Sequence, residues 1–551
     1  MQIAITGIGI VSALGIGVEE NRKHLFAGSS ALSRPTILPT VHREWPVGEV
    51  PMTNAELAEI AEVKNKIYCR NVLLGLVALQ QALASAAIDE ADKSEMPLIN
   101  GTTVGGMDLT EQYYSNWLNG NTDTLHLIRQ HEAAETSRLL ALETGLGETV
   151  TISTACSSAL NALIRGVAML RTGAVRKVVV GGTEAMTIFH LNGFASLGIL
   201  SEHICRPFAP DRDGINLGEG AAYLVLEDAE CARWRGAHIY GYIAGCANCC
   251  DAYHQTASSP DGDGAYAAMS ATLDMAGLIP SQVPYINAHG TATPNNDASE
   301  WRAIERFFGE QLPIVESTKS LTGHTTSASG SIEVVFSLFR MEQQQYDFAL
   351  SNAFGFGGND SSVLLSRHPM DLPENNQEGV LHTTDIYISA GEKEYKTLIP
   401  AMQARRMTPL IRQLLVVAHE ALSKAGISTP EGIVVGTRLG GMLPTEQLLA
   451  QLVEIGEHDF SPAQFMNSTH NSAAGTLARS LQCRGYNTTV VSSSDTFAEA
   501  KEDAMLMLRN SNVKSMLVCS IDEVGETWRH LLDAEKISVT NKVKAQLLWL
   551  D

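Results

Sequence analysis

Short apolar runs alternate with stretches of helical spacing along most of this chain. Ile3 to Thr6 is an apolar run leading into a Gly-rich turn, which predicts a buried strand. Val72 to Ile88 carries apolar residues at helical spacing. Val178 to Val180, closed by Gly181 and Gly182, predicts a second buried strand. Ala221 to Leu226 and Val283 to Asn287 predict two more. Strands interleaved with helices predict an α/β chain whose sheets are covered by helices. Arg367 to Thr384 breaks the pattern with Pro369, Pro373, Asn375, Asn376 and several charges, and reads as a linker.

Beyond that break the chain repeats itself. Gly101-Thr102-Thr103-Val104-Gly105-Gly106-Met107 returns as Gly436-Thr437-Arg438-Leu439-Gly440-Gly441-Met442, and Thr110-Glu111-Gln112 returns as Thr445-Glu446-Gln447. Met169-Leu170-Arg171 returns as Met507-Leu508-Arg509, 338 positions on (507 − 169). Each copy then reaches an apolar strand, Val178 to Val180 or Met516 to Val518. Three ordered matches argue for a duplicated structural unit.

Composition narrows the classes. The 551 residues are 44 % hydrophobic and 18 % charged, as in globular proteins. A net charge of -22 argues against broad nucleic-acid binding, which needs a basic footprint. The nine cysteines are scattered and odd in number, the pattern of reduced thiols in a cytoplasmic protein. Cys246, Cys249 and Cys250 cluster, but no spaced His or second Cys pair follows to complete a zinc site, so no metal is expected. The apolar N-terminus lacks a basic flank, against a signal peptide, and no run is long enough for a membrane span. Gly7-x-Gly9 lacks the third glycine of a dinucleotide loop, with Ser12 in its place.

Four segments carry candidate chemistry. Ser153-Thr154-Ala155-Cys156-Ser157-Ser158 places a cysteine where a strand, Val150 to Ser153, meets a helix over about Ser158 to Leu170. A sulfur there is presented at a turn and feels the positive end of the helix, which predicts a lowered thiol pKa. Asn287-Ala288-His289-Gly290-Thr291 puts a histidine at a strand end, where α/β sites lie. Lys319-Ser320-Leu321-Thr322-Gly323-His324 follows, with Gly330 and Glu333 beyond. Asn352-Ala353-Phe354-Gly355-Phe356-Gly357-Gly358-Asn359 sets glycines around an aromatic, as where backbone approaches a ligand closely. Singly, each segment is equally well a buried thiol, a structural histidine or a tight turn.

Together and in this order they resemble the beta-ketoacyl-acyl-carrier-protein synthase family of thiolase-like condensing enzymes over about residues 1 to 367. Arg206-Pro207-Phe208, Asp211-Arg212-Asp213-Gly214 and Gly218-Glu219-Gly220 resemble the family's segment between its halves. The His289 and His324 pair is similar to the elongating, decarboxylating class. The resemblance implies a thiolase-like fold of duplicated αβαβα layers, with one half at 1–225 and the other at 226–367. It implies Cys156 as nucleophile, His289 and His324 as donors to an enolate, and Lys319 and Glu333 as support for His324. Phe356 would gate the site and, with Cys156, supply oxyanion N–H groups. The implied reaction condenses a malonyl thioester with an acyl chain on Cys156, in fatty-acid or polyene/polyketide synthesis. It needs no cofactor, since the phosphopantetheine arrives on acyl carrier protein. Three departures from the family pattern stand out: the hydroxyl-rich Thr325-Thr326-Ser327-Ala328-Ser329 stretch, Asn359-Asp360 in place of Thr-Asn, and the short, charged stretch from Asp123 to Gly147. Lys64, Lys66 and Arg70 form a candidate basic spot for the acidic carrier, or simply a solvated helix start.

After a linker at 368–384, residues 385–551 resemble the amino-terminal half of a second synthase, of the type found in bacterial polyene and pigment clusters. Ser461-Pro462, Phe465, Asn467-Ser468 and His470-Asn471 carry that likeness. The repeat offset sets Ser494 opposite Cys156, with no counterpart of either histidine or of Lys319, so this unit is expected to be non-catalytic. Synthases of this family dimerise through their amino-terminal halves. The expected assembly is therefore a homodimer or an intramolecular pseudo-dimer, the extra half acting as a partner subunit or a chain-length factor.

Overall fold

Seventeen strands in the described residues assemble from three copies of one pattern. The computed structural model describes residues 1–373, 379–389, 395–405, 407–539 and 541–550. In chain order the strands are β1 (Ile3–Ser12), β2 (Gly15–Ile16), β3 (Leu98–Gly101), β4 (Thr149–Ile152), β5 (Lys177–Glu184), β6 (Gly220–Asp228) and β7 (Gly241–Cys250). They continue as β8 (Tyr285–Asn287), β9 (Ile314–Glu316), β10 (Phe348–Gly355), β11 (Asn359–Ser366), β12 (Leu381–Thr383) and β13 (Tyr387–Ser389). The last four are β14 (Gly432–Thr437), β15 (Tyr486–Val491), β16 (Ser515–Ile521) and β17 (Val543–Leu550).

The first unit runs β4-β3-β5-β6-β1, with the parallel members central and β6 antiparallel to its neighbours. The second repeats that order as β9-β8-β10-β11-β7. The third repeats it as β15-β14-β16-β17, closed by β12 and β13. β1 is buried at all ten positions, as expected of a strand covered on both faces. The helix Ser158–Arg171 lies between the first two sheets and packs on the helix Ser329–Gln344. The helix Arg70–Ser85 covers the outer face of the first sheet. The layers are thus helix, sheet, helix, sheet, helix.

The linker ends sooner than the composition predicts. Leu381–Thr383 already pairs with Leu548 to Leu550 as an edge of the third sheet. Asn375 and Asn376 lie outside the described residues.

The third sheet joins the first edge to edge. β15 pairs antiparallel with β4, Val490 opposite Ile152 and Val491 opposite Thr151. Ser153 N–H donates to Thr489 O at 3.0 Å, extending the ladder.

Candidate active site

The strand β4 delivers its chain to a tight turn. Ala155 takes φ 53°, a left-handed conformation that costs a side-chain-bearing residue energy. That turn presents Cys156 at the start of the helix Ser158–Arg171. The sulfur is 3.0 Å from His324 Nε2, and His324 Nδ1 is 2.8 Å from Ser329 Oγ. His289 meets His324 edge to face with ring centroids 5.3 Å apart. The sulfur and a nitrogen of each ring all lie within 4.8 Å of one another.

Second contacts hold these groups. Glu300 accepts from the His289 and Gly290 N–H groups at 2.9 and 2.8 Å, fixing the loop that carries His289. Lys319 Nζ is paired with Glu333 at 2.5 Å, both nearly inaccessible. Ser329, one of the hydroxyls that departs from the family pattern, is the His324 partner, and Thr325 Oγ1 lies 3.1 Å from it. Ser327 donates to the buried carboxyl of Glu184, which also accepts from the Thr103 and Val104 N–H groups.

Burial governs the protonation states. It pushes the Cys156 thiol up to about 12, with Lys319 and backbone hydrogen bonds from Phe356 and Cys156 itself opposing. The helix N-terminus therefore does not leave a lowered thiol pKa: desolvation outweighs it. Burial, reinforced by the Lys319 charge, holds both histidines well below the ordinary range, so both are neutral. The Glu333 carboxyl is raised by burial to about 7 against the pull of Lys319.

Two cavities meet at the sulfur. One, of about 350 Å³, is lined by Cys156, His289, His324, Thr291, Thr293, Phe356 and Asp360. Burial beside Asp251 and Glu300 raises the Asp360 carboxyl well above its usual range, so it is neutral there. The other, of about 70 Å³, is bounded by Cys156, Phe194 and Phe356 and by Leu439, Phe465 and His470 from the third unit. Phe356 belongs to both walls and stacks on Phe194 at 5.9 Å. Gly355 has no room for a side chain, since a Cβ would sit 2.7 Å from Thr154 O.

The third unit reaches this site through residues whose local pattern gives no sign of it. Asn471 Nδ2 donates to Phe356 O at 2.8 Å, and His470 Nδ1 lies 3.1 Å from Ser153 Oγ. Asn359, the second departure, accepts from Ser157, Asn161 and Asn248 at 2.7 to 2.8 Å and donates to Asn487 O. The charged stretch before the cysteine supplies His131 to the smaller cavity and Glu132 to Arg438 of the third unit. Ser494 is exposed on a bend, 2.9 Å from Ser492 Oγ.

The basic spot is corrected at Arg70, whereas Lys64 and Lys66 are exposed. Arg70 is buried and bonded to Glu219 at 2.6 Å, because it opens a helix whose first turn faces the core. Lys66 remains exposed but is held by Glu143 at 2.6 Å. Cys246, Cys249 and Cys250 lie along β7, and among the described residues they join no group of metal-ligating atoms.

The strand order and this Cys-His-His cluster define a thiolase-like acyltransferase. Models of the beta-ketoacyl synthase N-terminal and C-terminal domains match residues 1–232 and 240–350, and a second N-terminal-domain model matches 384–544. The 3-oxoacyl-acyl-carrier-protein synthase 2 of Synechocystis sp. is 33 % identical over 411 residues, covering 67 % of this chain and 98 % of that one. The chain belongs to the beta-ketoacyl synthase family of condensing enzymes. The solved ishigamide ketosynthase/chain length factor is 27 % identical, with a TM-score of 0.61, over 67 % of this chain and 99 % of that one. The PfaC keto synthase-chain length factor shares the fold of the whole chain, at 17 % identity and a TM-score of 0.80 over 100 % of this chain and 78 % of that one. Among the described residues no helix is long and apolar enough to cross a membrane.

Proposed function

We propose that the chain extends acyl groups by decarboxylative Claisen condensation, with Cys156 as nucleophile and acyl carrier protein as donor of both substrates. The observation that carries this reading is the meeting of the Cys156 sulfur with two neutral imidazoles inside one cavity.

The Cys156 sulfur attacks the acyl thioester. Its proton passes to His324 Nε2, 3.0 Å away, and on to the departing carrier thiol. The bond from the acyl carbon to the carrier sulfur breaks as the bond to Cys156 forms. A malonyl thioester then enters the larger cavity on its phosphopantetheine arm and loses carbon dioxide. The electron pair of the broken C–C bond moves onto the thioester oxygen. His289 and His324 each donate an N–H there, where charge appears only as the reaction proceeds. For this step His324 takes the tautomer with its proton on Nε2 and Nδ1 accepting from Ser329 Oγ, 2.8 Å away, reached from the acylation tautomer by exchanging one proton for another with water in the larger cavity. The enolate carbon attacks the acyl-Cys156 carbonyl, whose oxyanion is held by the Phe356 and Cys156 N–H groups. Collapse expels the cysteine sulfur, which takes up a proton, and releases a beta-ketoacyl carrier.

The third unit acts here as a non-catalytic partner that limits chain length. Leu439, Phe465 and His470 wall the cavity into which an acyl group on Cys156 would extend, and its serine at the nucleophile position faces solvent. Two of the solved structures that this chain resembles are likewise a ketosynthase together with a chain length factor.

The test uses malonyl- and acyl-loaded carrier with the full chain. Intact-mass measurement is expected to find the acyl group on Cys156, and Cys156→Gln is expected to release carbon dioxide without condensing. A Cys156→Gln protein that still forms beta-ketoacyl product sinks the assignment. So does a wild-type protein that releases no carbon dioxide, as a hydrolase or scaffold would.

A further inference from the structure

From the strand before Cys156 to Met169-Leu170-Arg171 and its copy the repeat runs at an offset of 338, and the two copies meet about an axis that can be located to single residues. Ile152 pairs with Val490, its own counterpart (490 − 152 = 338). Thr151 pairs with Val491, the counterpart of residue 153, and Ser153 donates to Thr489, the counterpart of residue 151. Such reciprocal pairing is the signature of an isologous, two-fold interface. The helices Ser158–Arg171 and Thr496–Asn510 are also counterparts and pack on each other across the same seam.

On these helices, Arg165 Nη1 is bonded to Asp503 Oδ1 at 2.6 Å, and the two residues are again 338 positions apart. Their side chains are 5 % and 0 % exposed. Tyr486 Oη donates to the other Asp503 oxygen at 2.9 Å. The guanidinium Nε has no hydrogen-bond partner; Asp503 is the carboxylate bonded to this buried cation, and Glu499 on the same helix as Asp503 feels its charge without a hydrogen bond.

A residue that faces its own counterpart across a two-fold axis would face itself if two identical units met there. Two copies of the first unit would bury Arg165 against Arg165. Two copies of the third unit would bury Asp503 against Asp503. Only the mixed pairing is neutral. Uncompensated buried charge is among the strongest penalties a protein interface carries, and repulsion against the wrong partner is how specificity is commonly built.

We propose that the axial Arg165–Asp503 pair is a partner-selection device: it reserves this face of the catalytic unit for the third unit of the same chain and refuses a second copy of itself. The inference rests on the repeat and the seam, and stands apart from the reaction assigned above.

The experiment is a charge exchange in the full chain, read by thermal melting and light scattering. Wild type is expected to scatter as one chain of 59.3 kDa. Asp503→Arg sets Arg against Arg within the chain and is expected to lower the melting temperature by about 3–4 °C. Arg165→Asp should do the same through two carboxylates. The double variant R165D/D503R restores opposite charges and should recover most of the loss, which a mere folding defect at either position would not. Single variants that melt like wild type, a double variant no better than the worse single, or a wild-type particle of two chains would each overturn the proposal. Because none of these readouts involves turnover, they stay interpretable if the condensation chemistry proves otherwise.

Discussion

His324 Nε2 stands 3.0 Å from the Cys156 sulfur, whereas His289 meets His324 edge to face with its backbone tied to Glu300. The two histidines are thus not equivalent. In the proposed reaction His324 would serve both acyl transfer and decarboxylation, and His289 only the second. Replacing His324 by Ala is expected to slow both by about two to three orders of magnitude. His289→Ala should slow carbon dioxide release by a similar factor and leave acylation of Cys156 within a few-fold. Carbon dioxide release and the rate of mass gain on Cys156 separate the two effects; equal losses in both variants would refute the division.

Glu184 gives the site a pH dependence with a definite sign. Its carboxyl, buried behind Thr103, Val104 and Ser327, is raised from 4.5 to about 8, chiefly by desolvation. A group whose folded pKa lies above its unfolded value contributes stability that is full below the unfolded pKa. That stability is lost as pH rises through the folded one. Folding stability in urea should therefore fall between pH 4.5 and 8. Glu184→Gln should flatten that slope, and a slope unchanged in this variant would exclude Glu184 as its source.

Phe465 fills the space that Gly193 leaves open: a Cβ on Gly193 would lie 2.2 Å from its ring. The ring also packs on Phe194 at 5.5 Å and faces the smaller cavity. Phe465→Ala is expected to cost about 3–5 kcal/mol of stability. It should also lengthen the longest acyl chain retained on Cys156, as mass spectrometry would report. An unchanged chain-length distribution would remove Phe465 from the pocket wall.

Asn359 joins Ser157, beside Cys156, to Asn487 in the third unit. Asn359→Thr restores the family's usual residue but leaves the buried Asn487 carbonyl without this donor, and should destabilise by about 1–3 kcal/mol. Condensation should fall with it. A variant as stable as wild type would mean that the two units do not depend on this contact.

Much of the architecture could be read from local pattern. The buried strands, the strand-end positions of Cys156 and His289 and the repeat beyond the linker are visible because burial and turns leave short-range signatures. Strand lengths were less legible: Ile3 to Thr6 reads as a brief run, yet the strand continues to Ser12 through glycines that have no hydrophobic signal. Arg70 was misread because charge in a sequence suggests solvent, while its Glu219 partner lies 149 positions away. The Cys156 thiol was misread for a similar reason. Proximity to a helix start is local, but desolvation is a property of the whole packed site. The roles of Asn359, Phe465 and Asn471 depend on contacts between units that no periodicity encodes.

The tether between β11 and β12 has a kinetic consequence. Only the chain from Arg367 to Val380 separates the last strand of the second unit from the first strand of the third. A wall of the pocket supplied by a separate subunit would leave at a rate set by its dissociation constant and would be lost on dilution. Here the same wall is presented at an effective concentration fixed by a short chain, in the millimolar range typical of such links. The pocket is accordingly as complete at nanomolar enzyme as in a crowded cell, and its composition cannot be exchanged for another partner's.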